Sequence, residues 1–443
     1  MSFYSTNKQT PVVSMKEAVV KGLADDNGLF MPTHIPQLPA SFFQNIQNLT
    51  LPEIALEVAA TLLKDEVSRE DLRHIVEDSL NFAIPVVKVH DNIYSLELFH
   101  GPTSAFKDVG ARFMARLLAH FTQDSQKQLT VLVATSGDTG SAVANGFLGV
   151  PGINVVILYP SGKVSDIQEK QLTTLGQNIT ALEIDGTFDD CQYLVKKAFL
   201  DKDLNQKLQL TSANSINIAR LIPQSFYYHY AYAQVKSLGQ EVVFSTPSGN
   251  YGNITGGLLA KRMGLPVYKF LAATNRNDIV PEYLHTGHYL PRPSEHTISN
   301  AMDVGNPSNF ARLMDMYGNS LEKMREEIVG YSFTDEETRQ LMQEVYQQYG
   351  YILDPHGAIG YGALKDYLQG QTRPTNNEQQ ATKLTGIFLE TAHPAKFIDI
   401  VEETIGLKIE IPANLEQLLH RSKESIKMSQ NYDDLKAFIL TRV

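Results

Sequence analysis

The sequence predicts an α/β protein, parallel sheets covered by helices, behind a mostly helical N-terminal segment. Three observations carry that prediction. From Ile93 to Ala272, short apolar runs alternate with stretches of helical period, the pattern of βα units. Two glycine-rich turns fall where a run hands over to a helix, the place where open α/β sheets bind ligands. The chain's 443 residues, 43% hydrophobic and 20% charged, can bury large cores without disulfides or metal as staples.

The elements follow in order. Pro52 to Leu63 and Glu70 to Asn81 carry apolar residues at helical spacing, and the turn-rich stretch Asp25 to Pro39 precedes them. A strand begins at Ile93, and Val109 to His120 is helical. Strands at Leu129 to Ala134, Val155 to Tyr159, Thr180 to Ile184 and Leu208 to Ser212 alternate with helices at Ser141 to Phe147, Ile167 to Leu175, Asp190 to Leu200 and Ile216 to Val235. Val242 to Thr246 is a strand, Ile254 to Met263 a helix and Val267 to Ala272 a strand. Asn275 to Asn309, rich in Pro, His and Asn, reads as an irregular insertion. A helix at Thr334 to Gln347, a polar surface loop at Gly370 to Lys383, a strand at Gly386 to Leu389 and terminal helices complete the chain. No repeat or low-complexity tract interrupts it.

Charge and cysteine content exclude several functions. Lys and Arg number 38 against 49 Asp and Glu, a balance of 38 − 49 = −11, which argues against nucleic acid and anionic membranes as partners. Cys191 is the one cysteine, so no internal disulfide or thiolate cluster can form, and a reducing compartment fits. Met1 to Val13 has no apolar core of a signal peptide, and no run reaches the ~18 to 20 apolar residues of a membrane helix. The expectation is a soluble cytoplasmic protein. The twelve histidines form no helical i, i+4 pair, and His285 and His288 have no evident further ligand, so no metal site is expected.

Three loops can carry chemistry. His100-Gly101-Pro102-Thr103-Ser104-Ala105-Phe106-Lys107-Asp108 puts Lys107 at a helix start in partly apolar surroundings. Both features disfavour the ammonium, and a lysine of lowered pKa can form a Schiff base with an aldehyde. An isolated lysine there is more often a bland surface residue. Ser248-Gly249-Asn250-Tyr251-Gly252-Asn253 contains no cation, so its backbone N–H groups and the following helix would hold a phosphate alone; otherwise it is a tight turn with an Asn cap. Thr135-Ser136-Gly137-Asp138-Thr139-Gly140-Ser141 offers hydroxyls and bare amides suited to a carboxylate, or is an ordinary capped turn.

Together the three loops resemble the tryptophan-synthase-β superfamily of pyridoxal-phosphate enzymes (fold type II), and within it the threonine synthases. The resemblance covers most of the chain. It extends to Gly22-Leu23-Ala24-Asp25-Asp26-Asn27-Gly28-Leu29-Phe30-Met31-Pro32, to Asn214-Ser215-Ile216-Asn217 with Arg220, to Asp354-Pro355-His356 and to Glu390-Thr391-Ala392-His393-Pro394-Ala395-Lys396-Phe397. One departure is Gly357, where many relatives carry Thr.

The resemblance implies fold type II with a threonine-synthase-like N-terminal domain over 1–90, a large cofactor domain over 91–128 and 214–443, and a small mobile domain over 129–213. It implies pyridoxal 5'-phosphate as cofactor, held covalently by Lys107, whose amine then moves protons on the substrate carbons. Gly249, Asn250, Tyr251, Gly252 and Asn253 would hold the cofactor phosphate, and Thr391 the pyridine nitrogen. Asp138 would lie near the phenolic oxygen, where an aspartate repels a phenolate unless one of them is protonated. Thr135, Ser136, Gly137 and Thr139 would take the substrate carboxylate, and Asn214, Ser215, Asn217 and Arg220 its phosphate. The implied reaction is γ-elimination of phosphate from O-phospho-L-homoserine followed by β-addition of water, giving L-threonine, in a monomer. The nearest alternatives are a threonine-synthase-like phospholyase, a serine/threonine dehydratase-like lyase, or a catalytically dead binding paralogue. Lys163 is a second phosphate candidate or a solvated lysine, Arg112 a structural ion-pair partner, and His356 and His393 shape turns.

Overall fold

The structure, a computed structural model, describes residues 1–125, 127–371 and 384–442. Two sheets organise it. The larger has six strands in the order Ile328–Ser332, Val267–Thr274, Glu241–Pro247, Leu384–Glu390, Ile93–Glu97 and Val86–His90. All its pairings are parallel except that of the edge strand Val86–His90. The smaller sheet has five parallel strands in the order Ile426–Met428, Ile179–Ile184, Ile153–Pro160, Leu129–Ala134 and Gln209–Ser212. Leu384–Glu390 and Leu129–Ala134 are buried at every position, as apolar runs covered by helices on both faces should be.

The predicted alternation from Ile93 to Ala272 is present, with one difference inside it and three elsewhere in the chain. The helix expected over Ile216 to Val235 is two helices, Ile218–Leu221 and Gln224–Val235, because Pro223 has no N–H to continue the ladder. The N-terminal segment also holds a small antiparallel sheet of Ser2–Ser5, Val13–Ser14 and Phe30–Pro32, beside helices Leu51–Leu63 and Arg69–Ser79. The insertion contains the helix Ile279–Thr286. The surface loop expected at Gly370 to Lys383 begins inside the helix Pro355–Gln371, and 372–383 lie outside the described residues.

The end of the chain corrects the expected domain boundary. Ile426–Met428 pairs with Ile179–Ile184, and Tyr432, Leu435 and Ile439 enter the apolar cluster formed with Leu182, Leu194 and Val195. The last segment therefore closes the five-stranded sheet and does not belong with the six-stranded one. No described helix is long and apolar enough to cross a membrane.

Candidate active site

Lys107 is the first residue of the helix Lys107–Thr122, as its loop predicts. The loop is pinned from below by Asp108. Its carboxylate accepts from Thr103 N (2.8 Å) and Thr103 Oγ1 (2.6 Å), and burial pushes it up to about 6 against those bonds. On the other side the loop is zipped to the Thr391 segment. Phe106 N donates to Thr391 O (2.9 Å), His393 N donates to Ser104 O (3.0 Å), and Ala105 bridges Ala392. Ser104 takes a left-handed backbone, φ 55°, a conformation non-glycine residues rarely adopt outside constrained sites.

The Lys107 side chain makes no hydrogen bond or salt bridge among the described residues; its Nζ lies 5.5 Å from the Phe106 ring centroid. Its ammonium is held below the usual lysine range, first by the protein around it, then by Lys396 and Arg220; Asp138 acts in the opposite sense. The sequence named two causes, the helix terminus and partly apolar surroundings. Burial and two neighbouring cations carry it.

The second loop starts the helix Gly252–Arg262, which has no side-chain cap. Tyr251 precedes it in a left-handed conformation, φ 60°. The Asn253 carboxamide oxygen accepts from Tyr227 (2.6 Å) and Tyr228 (2.9 Å), which fixes its orientation. Its Nδ2 is left buried with no partner, an orphan donor at an uncapped helix start. A Cβ on Gly249 would stand 2.7 Å from Met302 Cα, so only glycine lets the loop lie this close to the insertion. The Tyr251 side chain is buried, its hydroxyl has no hydrogen-bond partner, and burial pushes it well above the usual tyrosine range.

Asn250 ties this loop to the segment from Asn214 to Arg220. Its Nδ2 donates to Ser215 Oγ (2.8 Å), which also accepts from Asn309 Nδ2 (3.1 Å). Asn214 Nδ2 reaches Ala134 O (3.2 Å), at the start of the 135–141 loop. Asn217 differs from expectation. Its Nδ2 donates to Val19 O (2.9 Å) and Ser212 O (3.0 Å), and its Oδ1 accepts from Ala219 N (3.0 Å). With its carboxamide engaged, it shapes the segment and offers nothing to a ligand. Arg220 is buried against Gly110 of the lysine helix. One of its terminal nitrogens donates to Ala213 O, and its Nε is buried without a partner. Burial lowers it to about 10.

In the 135–141 loop, Thr135 is structural: its hydroxyl accepts from Gly137 N (3.0 Å) and Gly140 N (2.9 Å). Gly137 is at φ 146°, and a Cβ there would stand 2.6 Å from the Gln168 side chain. The Ser136 and Thr139 hydroxyls make no hydrogen bond within the described residues, so they remain available at the start of the helix Asp138–Phe147. Thr391 is buried, and its hydroxyl likewise has no hydrogen-bond partner among the described residues, unlike a satisfied core hydroxyl.

Two residues were missed. Lys396 is buried and pairs with Asp138 at 2.7 Å. Burial favours the neutral acid, but Lys396 and Lys107 together hold the Asp138 carboxyl well below the usual range. The expected repulsion at Asp138 is therefore offset by a cation. Lys396 stood in a quoted segment, but no spacing rule links it to Asp138. Arg312 is fully buried with no carboxylate partner. It donates to Ser215 O (3.1 Å), Ile216 O (2.6 Å), Asn309 Oδ1 (2.6 Å) and Phe30 O (3.2 Å). It thus ties the N-terminal signature to the Asn214 segment.

Arg112 is not an ion-pair partner: it donates to Ser79 O (2.9 Å) and to Asp78 O and Asn81 Oδ1 at the end of a helix. Lys163 is exposed, as a solvated lysine would be. His356 shapes its turn, donating from Nδ1 to Asp354 and accepting at Nε2 from Ala301 N (3.3 Å). His393 caps a short helix through Ala395 N (3.1 Å), and burial lowers it to about 4. Among the described residues no His, Cys, Asp and Glu group could hold a metal ion.

Residues 85–378 match the family described as pyridoxal-phosphate dependent enzyme, residues 2–80 threonine synthase N terminus, and residues 358–439 threonine synthase, C-terminal. The threonine synthase of Haemophilus influenzae is 43% identical over 441 residues, covering 99% of this chain and 100% of its own. That of Escherichia coli is 43% identical over 416 residues, covering 94% of each. The crystal structure of the Escherichia coli threonine synthase superposes with a TM-score of 0.90 at 40% identity, covering 100% of both chains. The pyridoxal-phosphate-bound threonine synthase from Brucella melitensis gives 0.91 at 34%, covering 99% of this chain and 98% of its own. A threonine deaminase from Solanum lycopersicum, at 0.55 and 15% identity over 77% of this chain and 95% of its own, shares the fold alone.

Proposed function

The chain belongs to the threonine synthase family of pyridoxal-phosphate enzymes, and we infer that it converts O-phospho-L-homoserine and water into L-threonine and phosphate. Pyridoxal phosphate, when bound, supplies the electron sink that makes protons on the substrate carbons removable. The residues present fit that group. Lys107 would hold it through an amine already biased toward the neutral form. Gly249, Asn250, Gly252 and Asn253, with the orphan Asn253 Nδ2, would hold its phosphate. Thr391 would face the ring nitrogen and the Asp138–Lys396 pair the phenolic side.

The chain's own residues divide the remaining work. Ser136, Gly137 and Thr139 orient the substrate carboxylate, and Asn214, Ser215 and Arg220 take the departing phosphate. That phosphate is mobile and doubly charged, so it needs a cation that the cofactor phosphate does not. Lys107 Nζ, once free, accepts and returns protons at the substrate carbons.

The reading rests most on one observation. Two anion-suited segments, one cation-free and one containing Arg220, are joined by the Asn250–Ser215 hydrogen bond beside the lysine loop. A lyase acting on an unphosphorylated amino acid needs only the first. One incubation with O-phospho-L-homoserine tests it: threonine and phosphate should appear in equal amounts. Phosphate released with a keto acid in place of threonine would overturn the assignment. We further propose a cytoplasmic monomer, with the buried thiol of Cys191 suited to a reducing compartment.

A further inference from the structure

Lys396 enters the roles above only as the partner of Asp138. Its side chain is fully buried, and its Nζ lies between two acceptors, Asp138 Oδ1 at 2.7 Å and Thr103 O at 2.9 Å. Those acceptors come from different parts of the molecule. Asp138 starts the helix that follows the Leu129–Ala134 strand of the five-stranded sheet, whereas Thr103 belongs to the lysine loop. Gln168 completes the cluster, donating to Asp138 Oδ1 at 2.8 Å, while Gln171 donates to Thr103 O at 3.0 Å. Asp138 Oδ1 and Lys396 Nζ are therefore each held by two partners.

A buried ion pair is poor evidence for stability, because the cost of desolvating two charges offsets much of their attraction. Its position is more informative. Asp138, Lys396 and Arg220 are the charged groups that act on Lys107: the first favours its ammonium and the other two oppose it. Asp138 alone would keep Lys107 protonated and would repel an electron-rich oxygen. Paired with Lys396, it presents a neutral, fixed hydrogen-bonding group.

We propose that Lys396 is a positioning residue of the lysine site: its ammonium cancels the charge of Asp138 beside Lys107 and clasps the 135–141 loop to the Thr103 carbonyl. This rests on the reading of Lys107 as the cofactor lysine.

The test is a pH titration of the visible band of lysine-bound cofactor, after the purified full-length chain is stripped and reloaded with pyridoxal 5'-phosphate. Lys396→Met leaves Asp138 unpaired, so the titration midpoint rises by about one pH unit or more. Asp138→Asn leaves Lys396 unpaired, so the midpoint falls. The double variant returns close to the parent value. Opposite shifts that cancel are not produced by loosened packing alone. Shifts in the same direction, no shifts, or a double variant that fails to return would overturn the proposal. If Lys396→Met does not fold, the isosteric Asp138→Asn decides alone, and anything but a fall in midpoint overturns it. A Lys107→Ala control separates the two readings. A band that survives in it refutes Lys107 as the cofactor lysine. Normal loading in the parent without opposite shifts refutes only the role of Lys396.

Discussion

A Cβ at position 357 would stand 1.5 Å from Glu390 Oε2, so the glycine there is the partner of a buried glutamate. Glu390 is fully buried; its Oε1 accepts from Asp354 N (2.7 Å), its Oε2 has no partner, and burial together with Asp354 pushes it well above the usual carboxylate range. The departure from the family at Gly357 thus has a local steric reason, and Glu390 lies one residue from Thr391. We expect Gly357→Ala to destabilise by about 2 kcal/mol through overpacking, and Glu390→Ala to remove most of that penalty in the double variant. Denaturant unfolding of the four proteins checks this; additive losses would show that the two sites are independent. Arg220 is a second case. Without its charge the departing phosphate loses a charge-assisted contact, so Arg220→Ala should lower kcat/KM for O-phospho-L-homoserine about 30-fold while leaving the visible cofactor band. Unchanged kinetics would remove it from the phosphate site. Arg220 was legible because six residues carry it from Asn214 in a family motif, whereas Lys396 and Arg312 act across contacts that no local pattern encodes.

Strands followed the sequence where burial was two-sided. Leu129–Ala134 and Glu241–Pro247 are apolar runs because helices cover both their faces. Val86–His90, Ile328–Ser332 and Ile426–Met428 were missed because they are edge strands, partly exposed and not uniformly apolar. The helix Pro355–Gln371 was missed for a different reason. Gly357, Gly360, Gly362 and Gly370 lower its helix propensity, yet Gly360 packs on Pro247 and Gly362 on Leu341, so close packing outweighs propensity. The helix Gln224–Val235 carries a pH signature of its own. His229 donates from Nδ1 to Ser225 O (2.9 Å), stacks on Phe43, and has a buried Nε2 with no partner. Burial lowers it to about 4. A depressed folded pKa gives stability that is complete above the unfolded value near 6.5 and lost as pH falls through about 4. This one group accounts for about 3 kcal/mol over that window. His229→Phe should therefore flatten the loss of thermal stability between pH 6.5 and 4. An equally steep loss in the variant would assign the acid sensitivity elsewhere.

The whole molecule divides the site between its two sheets, and that division sets what can move. The 135–141 loop follows Leu129–Ala134 of the five-stranded sheet, while Gly249–Asn253 follows Glu241–Pro247 of the six-stranded one. Among the contacts joining the 135–141 loop to the other loops are the Asp138–Lys396 pair and the Asn214–Ala134 hydrogen bond, both polar and both at the site. Polar bonds of this kind re-form at small angular changes more readily than packed apolar faces, which are bistable at best. A substrate gripped by its carboxylate at the 135–141 loop and by its phosphate at Arg220, which packs on the lysine helix, would draw those two parts together. That closure would keep water out until the β-carbon is ready to receive it. The last segment rides with the five-stranded sheet through Ile426–Met428, so it would move as part of that unit. Small-angle scattering with a non-reacting phosphonate analogue of O-phospho-L-homoserine should show a smaller radius of gyration than without it. The forward scattering should give the mass of one chain in both states. Superimposable profiles would remove closure from the mechanism, and a doubled mass would replace the monomer with a dimer whose interface must leave the five-stranded unit free to turn.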